Sequence, residues 1–276
     1  MTDRLQTGAS SSDGVFEMAS RTDVGRLRER NEDACHFDVK QGWAVLADGM
    51  GGYRGGDVAS AMAVECVKES LGNAIIRNAS EALAGLRHAT VQANDRIFRV
   101  SHSDRELYGM GSTLVTVRCF EDMIAVAHVG DSRLYRYRPD QLIQMTRDHS
   151  LLQEQVDGGM MSADAARTSP GRSLLTRALG VEPSVVPDVA LHEARPGDIY
   201  LMCSDGLTDM LYDEDIALVC ETLSANLPLA ADHLVQLAND RGGRDNITVV
   251  LIKIGVSTST TGNQAYETGK NTRCRN

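Results

Sequence analysis

Six cysteines stand at 35, 66, 119, 203, 220 and 274, yet none forms a CxxC pair or a zinc-ligand spacing. A dithiol redox motif and a structural zinc site are therefore not expected. Most of the six lie inside apolar runs and read as small core residues; reduced thiols fit the cytoplasm. No apolar stretch reaches the 18 residues of a membrane-spanning helix; the best candidate, 247–256, is interrupted by Lys253. The N-terminus, Met1-Thr2-Asp3-Arg4 ahead of a Gly-Ala-Ser-Ser-Ser stretch, has no apolar h-region, so a secretory signal is not expected. The seven histidines show neither HxxxH nor HExxH, and His128, His149 and His192 read as structural. Basic charge is also short: 28 Lys and Arg face 38 Asp and Glu, for a net charge of −10. Such a chain is poorly suited to wrapping nucleic acid or an anionic membrane, and well suited to holding divalent cations.

What is present is a long alternation of apolar runs and helical blocks. With 276 residues, 42% of them hydrophobic, the chain can bury one large core. Strand-like runs extend from about 14 to 254 without a linker-like break, which favours one domain over 14–254. Residues 1–13 and 256–276 are expected to be disordered tails. Strands are expected near 14–20, 34–39, 42–47, 112–119, 123–130, 132–138, 141–145, 187–193, 198–204 and 246–254. Helical patterns fall at 57–71, 80–101, 148–157, 162–168, 213–223 and 227–240, with Ser162 a plausible N-cap. Helix pairs between groups of closely spaced strands predict an α+β domain. Its expected form is a sandwich of two antiparallel sheets with helix pairs on both outer faces, an α-β-β-α order.

Four apolar runs meet an aspartate at a Gly- or Asn-marked corner. Trp43–Ala47 leads into Asp48-Gly49, Ile124–Gly130 into Asp131, and Ile199–Ser204 into Asp205-Gly206, while Asp245-Asn246 opens Ile247–Ile252. Each corner alone reads as a turn. Together they could set carboxylates at one end of a sheet core, and such a cluster needs cations. Oxygen-only ligands select Mg²⁺ or Mn²⁺ over zinc, and two such ions ~4 Å apart would polarise a phosphoryl group. The run Gly25-Arg26-Leu27-Arg28-Glu29-Arg30-Asn31-Glu32-Asp33 mixes acids with arginines, as a site for metal and phosphate would.

In this order, Arg28 before Asn31-Glu32-Asp33, Asp48-Gly49-Met50-Gly51-Gly52, Gly111-Ser112-Thr113, Gly130-Asp131-Ser132-Arg133, Ser204-Asp205-Gly206-Leu207 and Asp245-Asn246-Ile247-Thr248 resemble a known set. It is that of the metal-dependent PPM (type 2C) protein Ser/Thr phosphatases in their compact bacterial form, over about residues 14–254. The resemblance implies that Asp48 bridges two metals, that the Gly49 carbonyl ligates one, and that Asp205 and Asp245 complete the pair. Asp131 and Ser173 stand at the place of a third ion. Glu32 and Asp33 match residues that hold metal-bound waters, Arg28 matches the phosphate clamp, and 147–170 matches a mobile flap. One departure is Tyr53, where family members often carry a histidine; it leaves the general acid unassigned. The Met160-Met161 pair in the flap is read as core packing.

The activity so implied is hydrolysis of phosphoserine and phosphothreonine by in-line attack of a metal-bridging hydroxide, with Mn²⁺ or Mg²⁺ as cofactor. Phosphorylated proteins would be the substrates, a Ser/Thr kinase among them, in the cytoplasm, with no nucleic acid and no membrane insertion. Two other readings stay open: a pseudophosphatase that binds phosphoproteins as a scaffold, and a small-molecule phosphohydrolase of similar fold.

Overall fold

The computed structural model describes residues 4–10, 16–52, 55–72, 74–167, 169 and 174–255. Tyr53, Ser173 and the segment 256–276 lie outside the described residues.

Two sheets form from antiparallel pairs. The first runs β1 (Arg4–Ser10), β2 (Phe16–Asp23), β12 (Ile247–Ile254), β11 (Ile199–Cys203), β8 (Arg133–Arg138) and β9 (Gln141–Gln144) in spatial order. The second runs β10 (Asp188–Glu193), β7 (Met123–Val129), β6 (Leu114–Phe120), β4 (Trp43–Met50) and β3 (Asp33–Asp38), with the short β5 (Gly111–Ser112) beside β4. Helices α1 (Gly55–Leu71) and α2 (Ala79–Ser103) cover the second sheet, and α6 (Asp213–Thr222) and α7 (Leu227–Asp240) cover the first. The expected layer order is the observed one.

The apolar runs are continuous because each central strand is buried on both faces. In β12, Val249 and Leu251 turn to the α6/α7 side, while Val250, Ile252 and Ile254 turn to the other sheet. In β4, Trp43, Val45 and Ala47 meet α1 and α2, while Ala44 and Leu46 enter the interior between the sheets. Small residues Ala59, Ala63, Ala89 and Ala93 let α1 and α2 lie close to the second sheet. Helix starts follow side-chain caps: Asn78 accepts from Glu81 N–H at 2.9 Å and Asn226 from Leu229 N–H at 3.1 Å. Ser162 caps as expected, accepting from Ala165 N–H at 3.2 Å. Two more short helices, α3 (Leu151–Asp157) and α4 (Ala163–Arg167), occupy the flap region, and α5 (Asp205–Thr208) follows β11 directly.

Two expectations are corrected. Residues 4–10, expected in a disordered tail, form an edge strand antiparallel to β2. Main-chain pairing to an open edge needs no apolar alternation, so composition carried no trace of it. Met160, read as core, is 72% exposed on the turn after α3. Cysteines 66, 119, 203 and 220 are buried and free, as read from their apolar neighbours. Among the described residues no helix is long and apolar enough to cross a membrane.

Candidate active site

The four corners lie at one rim because antiparallel pairing brings alternate strand ends together. In the second sheet the C-terminal end of β4 carries Asp48, paired across the strands with Asp33 at the start of β3. Asp131 follows β7 through Gly130. In the first sheet β11 ends, and β12 begins, at the same edge: Ser204 N–H donates to Thr248 O at 3.1 Å. Asp205 and Asp245 flank that edge.

Two polar side chains join the two sheets there, and a third links two corners of the second sheet. Ser204 Oγ donates to Asp33 Oδ2 at 2.8 Å. Asn246 Oδ1 accepts from Glu32 N–H at 2.8 Å, while its Nδ2 donates to Arg30 O at 2.8 Å and Val24 O at 3.0 Å. Thr113 Oγ1 accepts from Asp48 N–H at 3.0 Å and lies 2.7 Å from Ser132 Oγ, which ties the Asp48 corner to the Asp131 corner. Each of these side chains is nearly inaccessible to solvent, so their polar groups are satisfied within the protein.

Two glycines permit the approach. A Cβ on Gly49 would lie 1.9 Å from Gly56 O and 2.7 Å from Glu32 O, and one on Gly206 would lie 2.0 Å from Asn246 O. These obstacles are backbone and cannot turn aside. Gly49→Ala is therefore expected to lower the melting temperature by about 6 °C or more and to displace Asp48. Thermal denaturation checks this, and a wild-type midpoint would contradict it.

The carboxylates repel one another. Burial, then the neighbouring Asp33, Asp205, Asp131 and Asp245, push Asp48 well above the usual carboxylate range. Asp205 is raised well above it too, by burial and then Asp131, Asp209, Asp245 and Asp33. Burial, with Asp148 next, brings Asp131 to about 7. Asp33 reaches about 6, again by burial, although Thr248 and Ser204 hydrogen bonds oppose the shift. Glu32 is raised by burial and then Asp57. Asp245 is paired with a guanidinium: Arg28 Nη2 donates to its Oδ2 at 2.6 Å from a half-exposed side chain. Asp205 Oδ1 and Asp33 Oδ1 are buried oxygens without a hydrogen-bond partner. Unpaired buried acceptors among mutually repelling carboxylates fit divalent cations, and an all-oxygen set fits Mg²⁺ or Mn²⁺.

The segment matched to the flap starts beside the Asp131 corner, where His149 N–H donates to Gly130 O at 3.0 Å. Its two ends are clipped together, with Leu151 N–H donating to Leu174 O at 2.9 Å and Thr176 N–H to His149 O at 2.8 Å. The returning chain then pairs with Ser112 through Leu179.

A family model described as Protein phosphatase 2C matches residues 26–238. The chain belongs to the protein phosphatase 2C family. The serine/threonine phosphatase Stp of Listeria innocua is 38% identical over 237 residues, covering 84% of this chain and 94% of that protein. The crystal structure of the Mycobacterium tuberculosis serine/threonine phosphatase PstP/Ppp superposes with a TM-score of 0.81 at 35% identity, over 88% of this chain and 100% of that one. A structure of the PstP catalytic domain in complex with two manganese ions gives 0.80 at 33% identity, over 88% and 99%.

Within this phosphatase 2C fold the rim gathers Arg28, Glu32, Asp33, Asp48, Gly49, Asp131, Asp205 and Asp245, through the pairings and mutual repulsions given above. Ser173, named with Asp131 from the resemblance, lies outside the described residues. Sequence reasoning assigned no role to Asp148 and Asp209, both of which act on Asp131. Asp148 is nearly buried and is gripped by Arg133, whose Nη2 donates to Oδ2 at 2.7 Å. The signal was present in part: Asp209 lies one helical turn after Asp205, so both face the same rim.

Proposed function

We propose that this chain is a metal-dependent protein phosphatase that hydrolyses phosphoserine and phosphothreonine. The observation carrying the proposal is one rim with clustered Asp48, Asp205 and Asp245 beside Arg28, in a chain of the phosphatase 2C family. Asp48, Asp205, Asp245 and the Gly49 carbonyl would hold two divalent cations, Mn²⁺ or Mg²⁺, with Asp131 and Ser173 at a third position. When bound, such ions neutralise phosphoryl oxygens and bring the pKa of a water toward neutrality. Arg28 holds Asp245 in place and, being half exposed, also reaches an incoming phosphate as a charged fork. Glu32 and Asp33 orient water at the rim; Asp33 is itself fixed by Ser204. The flap borders the Asp131 side and selects among substrates. Phosphorylated proteins of the cytoplasm are the proposed substrates, including a Ser/Thr kinase that phosphorylates itself.

A scaffold without turnover is disfavoured by the intact Asp48, Asp205, Asp245 and Arg28. The test is hydrolysis of a phosphothreonine peptide with Mn²⁺, before and after chelation. Full activity after chelation would sink the metal-dependent reading, and a higher kcat/KM on free phosphate esters than on phosphopeptides would shift it to small molecules. Arg28→Ala is expected to lower kcat/KM about 10- to 100-fold, the worth of one charged hydrogen-bonding group. Steady-state kinetics on the same peptide reads this, and unchanged kcat/KM would remove Arg28 from phosphate binding.

A further inference from the structure

Among the described residues, one trio of side chains brings metal-type ligand atoms within 4.8 Å of one another: His128, His149 and Asp188. Its hydrogen bonds bar a cation. Gly130 N–H donates to His149 Nδ1 at 3.0 Å, so Nδ1 carries the lone pair and the neutral ring carries its proton on Nε2. A protonated nitrogen is not a ligand. That Nε2 lies 3.3 Å from Asp188 Oδ2, while Arg177 Nη1 occupies Asp188 Oδ1 at 2.8 Å. His128 Nε2 faces the carbonyl of Arg147 at 2.9 Å, an acceptor only, so it too must donate. The two imidazoles stack with centroids 4.7 Å apart, an arrangement that does not converge lone pairs on one point.

The same contacts describe a different device. His149 makes three bonds besides the approach to Asp188. Its N–H donates to Gly130 O at 3.0 Å, its Nδ1 accepts from Gly130 N–H at 3.0 Å, and its O accepts from Thr176 N–H at 2.8 Å. The first two clamp the residue just before Asp131. The third holds the returning end of the flap, whose outgoing end starts at Ser150, the next residue. The side chain is fully buried, so water offers no substitute for these bonds. Asp188, paired in register with His128 on the neighbouring strand, places its carboxylate 3.3 Å from the ring without a well-aligned hydrogen bond, and Arg177 Nη1 holds that carboxylate at 2.8 Å.

We infer that His149 is a positioning residue: through its ring and backbone it fixes the Gly130–Asp131 corner to both ends of the flap. The inference rests on the proposed role of Asp131 at the site, and it extends that reading to what holds the flap in register with the reaction. His149 touches no substrate. It sets where the flap base stands relative to Asp131.

The experiment compares the full chain with Mn²⁺ as wild type, His149→Ala and His149→Asn. Asparagine sets its Oδ1 where Nδ1 stands and keeps the acceptor for Gly130 N–H. Hydrogen exchange is followed over 128–133 and 174–178, with kcat and KM on a phosphothreonine peptide. His149→Ala is expected to speed exchange in both segments about tenfold or more, and to lower kcat more than it raises KM. His149→Asn is expected to stay within about threefold of wild type over 128–133. Equal exchange in His149→Ala and wild type, or in His149→Ala and His149→Asn, overturns the inference. If His149→Ala does not fold, His149→Gln replaces it, since its amide reaches the Nε2 position and leaves Gly130 N–H without an acceptor. Fast exchange in Gln with slow exchange in Asn supports the inference, and equal rates overturn it. Asp131→Ala is read separately by Mn²⁺ calorimetry: an unchanged ion count overturns the role given to Asp131, a different result from unchanged exchange in His149→Ala.

Discussion

Asp205→Asn is expected to cut turnover at least about a hundredfold and yet raise the melting temperature of the chelated protein at pH 8. The substitution keeps the shape of the side chain and removes its charge. Without cations, that charge faces Asp131, Asp209, Asp245 and Asp33, and its Oδ1 is buried without a partner. Neutralising it relieves the repulsion, which outweighs the modest cost of a buried amide. With Mn²⁺ present the same substitution takes one anionic oxygen ligand from the proposed pair of ions, and activity should fall by on the order of 10²–10³ or more. Phosphopeptide hydrolysis with Mn²⁺ and calorimetric melting in EDTA are the two measurements. Retained activity would remove Asp205 from the proposed site. A lower melting temperature in EDTA would mean that the carboxylates do not strain the metal-free fold.

Stabilisation by Mn²⁺ should grow steeply between pH 5 and pH 8. Asp33 at about 6 and Asp131 at about 7 both stand above 3.8, the ordinary aspartate value that serves for the unfolded chain. A carboxyl raised on folding favours the folded state fully below the unfolded value and loses that advantage as pH rises through the folded value. Metal-free protein therefore loses this contribution between about pH 4 and pH 7, by roughly 3 kcal/mol for Asp33 alone. His149 pulls the other way: burial, then His128 and Arg177, hold it at about 4, so its neutral burial favours folding increasingly as pH rises toward its unfolded value of 6.5. That term is common to loaded and metal-free protein and cancels in their difference. Urea midpoints with and without Mn²⁺ should diverge as pH rises. A gap that is constant or shrinks over this interval would show that cations do not relieve the carboxylate cluster.

The sandwich was legible because its strands alternate between two buried faces. Ile247–Ile254 is apolar at nearly every position since Val249 and Val250 serve different layers, and a run of that length bounded by Asp-Asn reads as a buried strand. The four aspartates were legible as corners, because glycine or asparagine marks each one. What joins them was not. Ser204 meets Asp33 across 171 residues of chain and Asn246 meets Glu32 across 214, and neither contact leaves a local pattern. Asp148 was hidden for the same reason: its grip on Arg133 depends on β8 and β9 lying side by side. Met160 was misread because an apolar side chain in a short helical segment looks the same on a core face and on an exposed turn.

The clip at the foot of the flap has an evolutionary corollary. Ser150 and Leu175 bridge there, so the intervening chain begins and ends at nearly one point. Its closure cost rises only with the logarithm of its length, about 0.6 kcal/mol for each doubling. Descendants of this fold can therefore lengthen, trim or exchange that insert as a cassette while the sheets beneath keep their register.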